Sequence, residues 1–81
     1  MEYVYLPELG EGIEKATIAC WHASIGDRVS KDDDIVELVT DKATFHVPSG
    51  ALGTIKEIRF NKGQEVKIGE VLAVIESYRE Y

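Results

Sequence analysis

The chain has 81 residues, one small domain near the lower limit of what folds without disulfides or metals. Its one cysteine, Cys20, excludes an internal disulfide, and one Cys with two His (His22, His46) argues against a structural zinc site, so no metal site is expected. A formal net charge of -6 disfavours nucleic-acid binding, which needs clustered Lys and Arg, and suits recognition by basic patches on protein partners. No apolar run approaches a membrane span, and the N-terminus lacks the basic-then-apolar form of a signal peptide.

Glu2 to Leu6 is a β-rich run that Pro7 ends or places at a sheet edge. Glu8-Leu9-Gly10-Glu11-Gly12 is a loop. It is no phosphate cradle, because it lacks P-loop spacing and carries two glutamates. Ala16 to Ala23 reads as a strand, Ser24 to Asp27 as a turn, Val29 as part of a short strand, and Lys31 to Asp34 as a polar turn. Ile35 to Val39 leads into Thr40-Asp41-Lys42-Ala43, and Phe45 and Val47 then alternate with Thr44 and His46 as in a half-buried strand. Asp41 is a turn former whose carboxylate can accept a local backbone N–H, which puts Lys42 in solvent at a hairpin tip. Pro48-Ser49-Gly50 is a loop, Thr54 to Phe60 a strand, Asn61 to Gln64 a turn, Val66 a short strand and Val71 to Ile75 the last one. Residues 1–76 make the domain, and Ser77 to Tyr81 read as a tail or the start of a linker. No stretch of helical period runs long enough for a helix, so the class is all-β.

Sliding the second half onto the first by about 37 residues exposes an internal repeat. Ala16 falls on Gly53, Thr17 on Thr54, Ile18 on Ile55, Trp21 on Ile58, Gly26 on Gly63, Val29 on Val66, Asp33 on Glu70, Ile35 on Leu72 and Leu38 on Ile75. Two equivalent units bury their apolar faces best about a pseudo-twofold axis, as a two-sheet sandwich or flattened barrel with about four short strands per sheet. The Lys42 hairpin ends the first half, so the termini belong at the opposite end of the sandwich. In both halves the large apolar residues skip by three, Ile18 to Trp21 and Ile55 to Ile58. An inward face needs an even step, so a β-bulge is expected in each strand.

These residues carry a resemblance. From about Leu6 to Glu76 the chain resembles a lipoyl domain of the biotinyl/lipoyl carrier family, more narrowly that of a 2-oxo acid dehydrogenase acyltransferase (E2) component. The opening Leu6-Pro7-Glu8-Leu9-Gly10-Glu11-Gly12-Ile13 is similar to the start of such domains. Gly26-Asp27-Arg28-Val29 resembles their first-half turn, and Val39-Thr40-Asp41-Lys42-Ala43 their lipoylation motif. The turn at Gly63 and the run Gly69-Glu70-Val71-Leu72 also fit.

The resemblance implies a flattened eight-stranded barrel, a barrel-sandwich hybrid with a pseudo-twofold axis, and lipoic acid joined by an amide to Lys42. It implies that the lipoyl group is acylated at a thiamine-dependent 2-oxo acid decarboxylase (E1). The acyl group then passes to coenzyme A at the E2 catalytic domain, and a dihydrolipoyl dehydrogenase (E3) reoxidises the dithiol. The domain itself would catalyse nothing. Asp41 and Ala43 would help a lipoate ligase or transferase recognise the site, and Glu8, Gly10, Glu11 and Gly12 lie in the loop that aids recognition by the decarboxylase. Such a domain is expected to be a monomer, in a prokaryotic cytoplasm or a mitochondrial matrix.

Lysine suits the role because an amide needs a primary amine on a long flexible stem. A hairpin-tip lysine is by itself most often a solvated charge, and it is the surrounding match that singles out Lys42. Cys20 and Trp21 read as core, on a strand that is buried. His22 and His46 read as surface or hydrogen-bonded groups, and Asp32-Asp33-Asp34 as a solvated turn without EF-hand spacing. A biotin carrier shares the fold but typically flanks its lysine with methionines, where this chain has Asp41 and Ala43. A glycine-cleavage carrier is longer and has extra helices. An unmodified interaction domain is the third alternative.

Overall fold

The computed structural model describes residues 1–78. Its strands are β1 (Glu2–Tyr5), β2 (Lys15–Trp21), β3 (Arg28–Val29), β4 (Asp34–Val39), β5 (Thr44–Pro48), β6 (Gly53–Ile58), β7 (Glu65–Lys67) and β8 (Val71–Ser77). They form two four-stranded antiparallel sheets, ordered β1-β8-β6-β3 and β5-β4-β2-β7. The two orders interconvert when β1 is exchanged with β5, β8 with β4, β6 with β2 and β3 with β7, which is the symmetry that the repeat requires.

The halves also grip each other by equivalent bonds. Ile18 N donates to Gln64 O (2.9 Å) and Gly63 N to Ile18 O (2.8 Å). At the matching positions Ile55 N donates to Asp27 O (2.9 Å) and Gly26 N to Ile55 O (2.8 Å). Each glycine turn therefore satisfies the backbone of the other half's long strand, where its own ladder is interrupted. The turns are closed alike, by Ser24 N donating to Asp27 Oδ2 at 2.8 Å and Asn61 N to Gln64 Oε1 at 2.6 Å.

The interruption is the bulge expected from the three-residue step. The register of β2 against β4 shifts between Ile18 and Cys20, and that of β6 against β8 between Ile55 and Glu57. Each bulge keeps the flanking large residues inward, so Ile18 and Ile55 are fully buried while Trp21 and Ile58 pack against the core. Trp21 Nε1 also donates to Phe60 O at 2.8 Å. Cys20 departs from the expectation of a core residue. The bulge turns it to the outer face opposite Glu37, whose neighbour Leu38 points inward.

The core is the space between the sheets, filled by Leu6, Ile18, Ile35, Leu38, Ile55, Leu72 and Ile75 together with smaller valines and alanines. Burying each large side chain contributes roughly 1.5–3 kcal/mol. The C-terminal boundary needs one correction. β8 runs one residue past the expected limit at 76, since Ser77 still pairs with Gly53, and Tyr78 N donates to Leu52 O at 2.9 Å. Arg28 covers the Tyr78 ring at 5.0 Å, so residues 77 and 78 belong to the packed domain. The rest of the expected tail, residues 79–81, lies outside the described residues.

Candidate functional site

β4 and β5 pair from Glu37↔His46 through Val39↔Thr44, and the four residues Thr40 to Ala43 close the hairpin. Thr40 organises this turn. Its backbone N and its hydroxyl both donate to Ala43 O, at 2.9 and 3.0 Å. Its Oγ1 in turn accepts from Lys42 N at 3.1 Å and Ala43 N at 3.0 Å. The backbone-capping role expected of Asp41 therefore belongs to Thr40. Asp41 is exposed, and its carboxylate makes no hydrogen bond among the described residues. A hydroxyl that both donates and accepts ties the turn from two sides, which a carboxylate cannot do.

The result is a rigid base under a free side chain. Lys42 is exposed and its amine forms no ion pair among the described residues, whereas Lys15 and Lys56 pair with Glu65 and Glu76 at 3.4 and 3.8 Å. The loop from Glu8 to Gly12 comes up beside it. A β-carbon placed on Gly12, which has φ +81°, would stand 3.3 Å from Lys42 Nζ, so the missing side chain leaves the flank of the amine open. The loop is anchored below: Leu6 is buried, Leu6 N donates to Glu70 O, and Gly69 N to Leu6 O, both at 2.9 Å.

An open groove of ≈ 470 Å³ runs beside the turn, with Gly12, Ile13, Thr17, Val39, Thr40 and Asp41 in its walls. Of the residues expected to aid recognition, the structure thus brings Gly12 and Asp41 to one groove next to Lys42. Ala43 is in the turn itself, and Glu8, Gly10 and Glu11 are exposed on the approach to Gly12 without lining the groove. Gly12's proximity to the lysine is a tertiary contact across the barrel, with no local signal in the sequence. Thr40's role was open to a sequence reading, since Thr two residues before a turn amide forms such a motif. His22 and His46 are hydrogen-bonded surface groups, as expected, and share Glu37 Oε1 at 3.6 and 3.1 Å.

The hairpin lies at the end of the sheet where β2 begins, since Thr17 pairs with Val39. The other end of β2 leads to Gly26, which meets Ile55 near the Gly53↔Ser77 pair, and Glu2 pairs with Ile75. The described chain ends are therefore together and far from Lys42, as the repeat predicted.

The Thr40 network gives a graded test. Thr40→Val keeps the shape of the side chain but removes three of the four hydrogen bonds that close the turn. Lipoyl loading by a lipoate ligase should slow by about 10-fold, the factor that corresponds to ~1.4 kcal/mol of lost turn ordering. Thr40→Ser should restore most of the rate. Initial rates at sub-saturating domain concentration make the measurement, and equal rates for Thr40→Val and wild type would remove Thr40 from the account.

Comparison with known proteins points to one family of carrier domains. The family model described as "Biotin-requiring enzyme", covering biotin and lipoyl attachment domains, matches residues 2–75. The solution structure of the lipoyl domain of the 2-oxoglutarate dehydrogenase complex from Azotobacter vinelandii superposes with a TM-score of 0.71 at 34% identity, covering 91% of this chain and 96% of that one. The Kluyveromyces lactis urea carboxylase shares the fold over 93% of this chain and 6% of its own, with a TM-score of 0.79 at 23% identity. The lipoamide acyltransferase component of the branched-chain alpha-keto acid dehydrogenase complex of Bacillus subtilis is 40% identical over 95% of this chain. A dihydrolipoyllysine-residue succinyltransferase component of the 2-oxoglutarate dehydrogenase complex from Staphylococcus saprophyticus is 43% identical over 93% of it. The chain spans 18% of the length of each of these two relatives.

Proposed function

Because the chain belongs to the biotin and lipoyl carrier family, and within it to the lipoyl domains of 2-oxo acid dehydrogenase complexes, we propose that Lys42 is its attachment residue, bearing lipoic acid as an amide on Nζ. The observation that carries this reading is the amine of Lys42, without an ion pair among the described residues, on a turn closed by four hydrogen bonds. The donor set fits the group: a primary amine without an ion-pair partner among the described residues, with no side chain on the Gly12 flank to obstruct it.

When bound, the dithiolane supplies a disulfide/dithiol couple that takes up an acyl group and gives it up again. The chain's own residues do the rest by position. Thr40 holds the backbone of the turn, so the arm pivots from a fixed point. Asp41 and Ala43 present small and acidic flanks to the attaching ligase or transferase. The loop from Glu8 through Gly10, Glu11 and Gly12 offers an acidic, low-profile surface beside the arm for the decarboxylase (E1) to read. The sandwich beneath keeps the described termini at the far end, so a tether there leaves the Lys42 end free to visit E1, the acyltransferase core of E2 and the dihydrolipoyl dehydrogenase (E3).

The test is intact-mass spectrometry after incubation with lipoate, ATP and a lipoate ligase, with a parallel reaction containing biotin and a biotin ligase. One lipoyl increment in the first reaction and none in the second is the expected result. A biotin increment without a lipoyl one would make this a biotin carrier, and no increment in either would make it an unmodified domain.

A further inference from the structure

The outer face of the sheet β5-β4-β2 carries a cluster that the carrier role does not use. The bulge in β2 turns Cys20 outward opposite Glu37, and Glu37 stands opposite His46 on β5. His22 follows just beyond the end of β2, its backbone N donating to Ile35 O at 2.8 Å. Cys20 Sγ, His22 Nε2 and a Glu37 carboxylate oxygen all lie within 4.8 Å of one another. His22 Nε2 is 3.9 Å from the sulfur and 3.6 Å from Glu37 Oε1. His46 Nε2 lies 3.1 Å from that same oxygen.

We propose that Cys20, His22 and Glu37 form a three-ligand site for a zinc-class divalent cation, with His46 holding the Glu37 carboxylate and the fourth position open to solvent. Zinc bonds of about 2.3 Å to sulfur and about 2.0–2.1 Å to nitrogen or oxygen, at a tetrahedral angle, place ligand atoms roughly 3.3–3.6 Å apart. The observed separations need only small side-chain adjustments to reach that geometry. Thiolate, imidazole and carboxylate together select zinc-class ions over calcium or magnesium, which take oxygen ligands. Cys20 binds as the thiolate, its proton released to solvent. His46 supplies the outer hydrogen bond that orients a metal-bound carboxylate.

The pseudo-twofold axis provides an internal control. The residues equivalent to Cys20 and His22 in the other half are Glu57 and Arg59, which form an ordinary ion pair at 3.3 Å. The fold therefore does not require a thiol and an imidazole at these positions. The count of one Cys and two His argues against a closed four-ligand structural site, whereas an open site needs fewer protein ligands. Glu37 precedes Thr40 by three residues of strand, roughly 10 Å, so the metal and Lys42 do not compete for space.

Cobalt(II) titrated into the reduced chain, followed in the near ultraviolet, tests the proposal. One equivalent should develop a thiolate-to-cobalt charge-transfer band, and one equivalent of zinc should abolish it. Cys20→Ser should lose the band, His22→Gln should weaken binding at least 10-fold, and His46→Gln should weaken it by about 10–100-fold. Lys42→Arg should bind as wild type does. Absence of the band in the wild-type chain, or equal cobalt affinity in Cys20→Ser, would overturn the site. If a variant loses its native amide spectrum, the wild-type chain decides alone. Zinc-induced NMR shifts centred on Cys20, His22, Glu37 and His46 support the proposal, and shifts centred on Asp32 to Asp34 refute it.

Discussion

Lys42→Arg is expected to abolish lipoyl loading entirely while leaving the unfolding midpoint where it was. The side chain is exposed and makes no ion pair among the described residues, so its replacement removes no packing and no buried contact. Surface changes of this kind typically move stability by less than about 0.5 kcal/mol. Chemically the change is absolute. The guanidinium keeps the length and the charge, yet it stays protonated in proteins and offers no lone pair to an activated acyl group. Loading read by intact mass and unfolding read in urea, on the same preparation, separate the two effects. A loaded Arg variant would show that a different amine is the acceptor. A lower midpoint would show that Lys42 does structural work.

Gly53→Ala is the change expected to cost the most stability. A β-carbon at Gly53 would run into Glu76 O and lie 2.8 Å from Ile75 Cγ2, inside the van der Waals envelope of a backbone atom. Gly53 pairs with both Val29 and Ser77, in the middle of its sheet, so neither neighbour can withdraw without breaking a ladder. We expect a loss of about 3 kcal/mol or more, against a total of roughly 4–12 kcal/mol for a domain of this size. Urea unfolding should show a large drop in midpoint or no cooperative transition at all. A loss below about 0.5 kcal/mol would mean that β6 and β8 are not held as described.

The repeat explains why this glycine has an alanine for a counterpart. Ala16 occupies the equivalent place in the first half and is buried with its methyl group accommodated. There the ladder between β2 and β4 ends at Thr17↔Val39, and the chain leaves at Thr40 to make the Lys42 turn. In the second half β8 continues to Ser77 beside Gly53, and its backbone fills the space that the methyl group would need. The two halves thus part at this place, where the first turns back through Lys42 and the second runs on to Ser77.

Much of this architecture was legible in the sequence because it rests on periodicity. The apolar alternation marked the strands, and the shared step of three at Ile18–Trp21 and Ile55–Ile58 marked both bulges. The shared glycine turns at Gly26 and Gly63 marked the two units, whose reciprocal bonds to Ile55 and Ile18 the structure displays. What periodicity cannot show is which way a side chain faces inside a bulge. Cys20 sits among apolar neighbours and reads as core, yet the extra residue before it turns it outward. The hairpin turn was legible, but its organiser reads from the sequence as Asp41, although the Thr40 motif was there to be read. Asp is the stronger turn former by frequency, whereas the hydroxyl of Thr40 has the geometry to serve both sides of the turn. Gly12's approach to Lys42 joins residues thirty positions apart and depends on the closed barrel. The boundary at 76 fell two residues short because Ser77 is polar but still paired, and Tyr78 N still donates to Leu52 O.

The central claim is that a single amine, that of Lys42, carries the acyl-carrying group. Peptide fragmentation mass spectrometry of the chain after loading with lipoate ligase tests it most directly. The account predicts the lipoyl increment on Lys42 and unmodified Lys15, Lys31, Lys56, Lys62 and Lys67. An increment on any of those five lysines with Lys42 unmodified would contradict it.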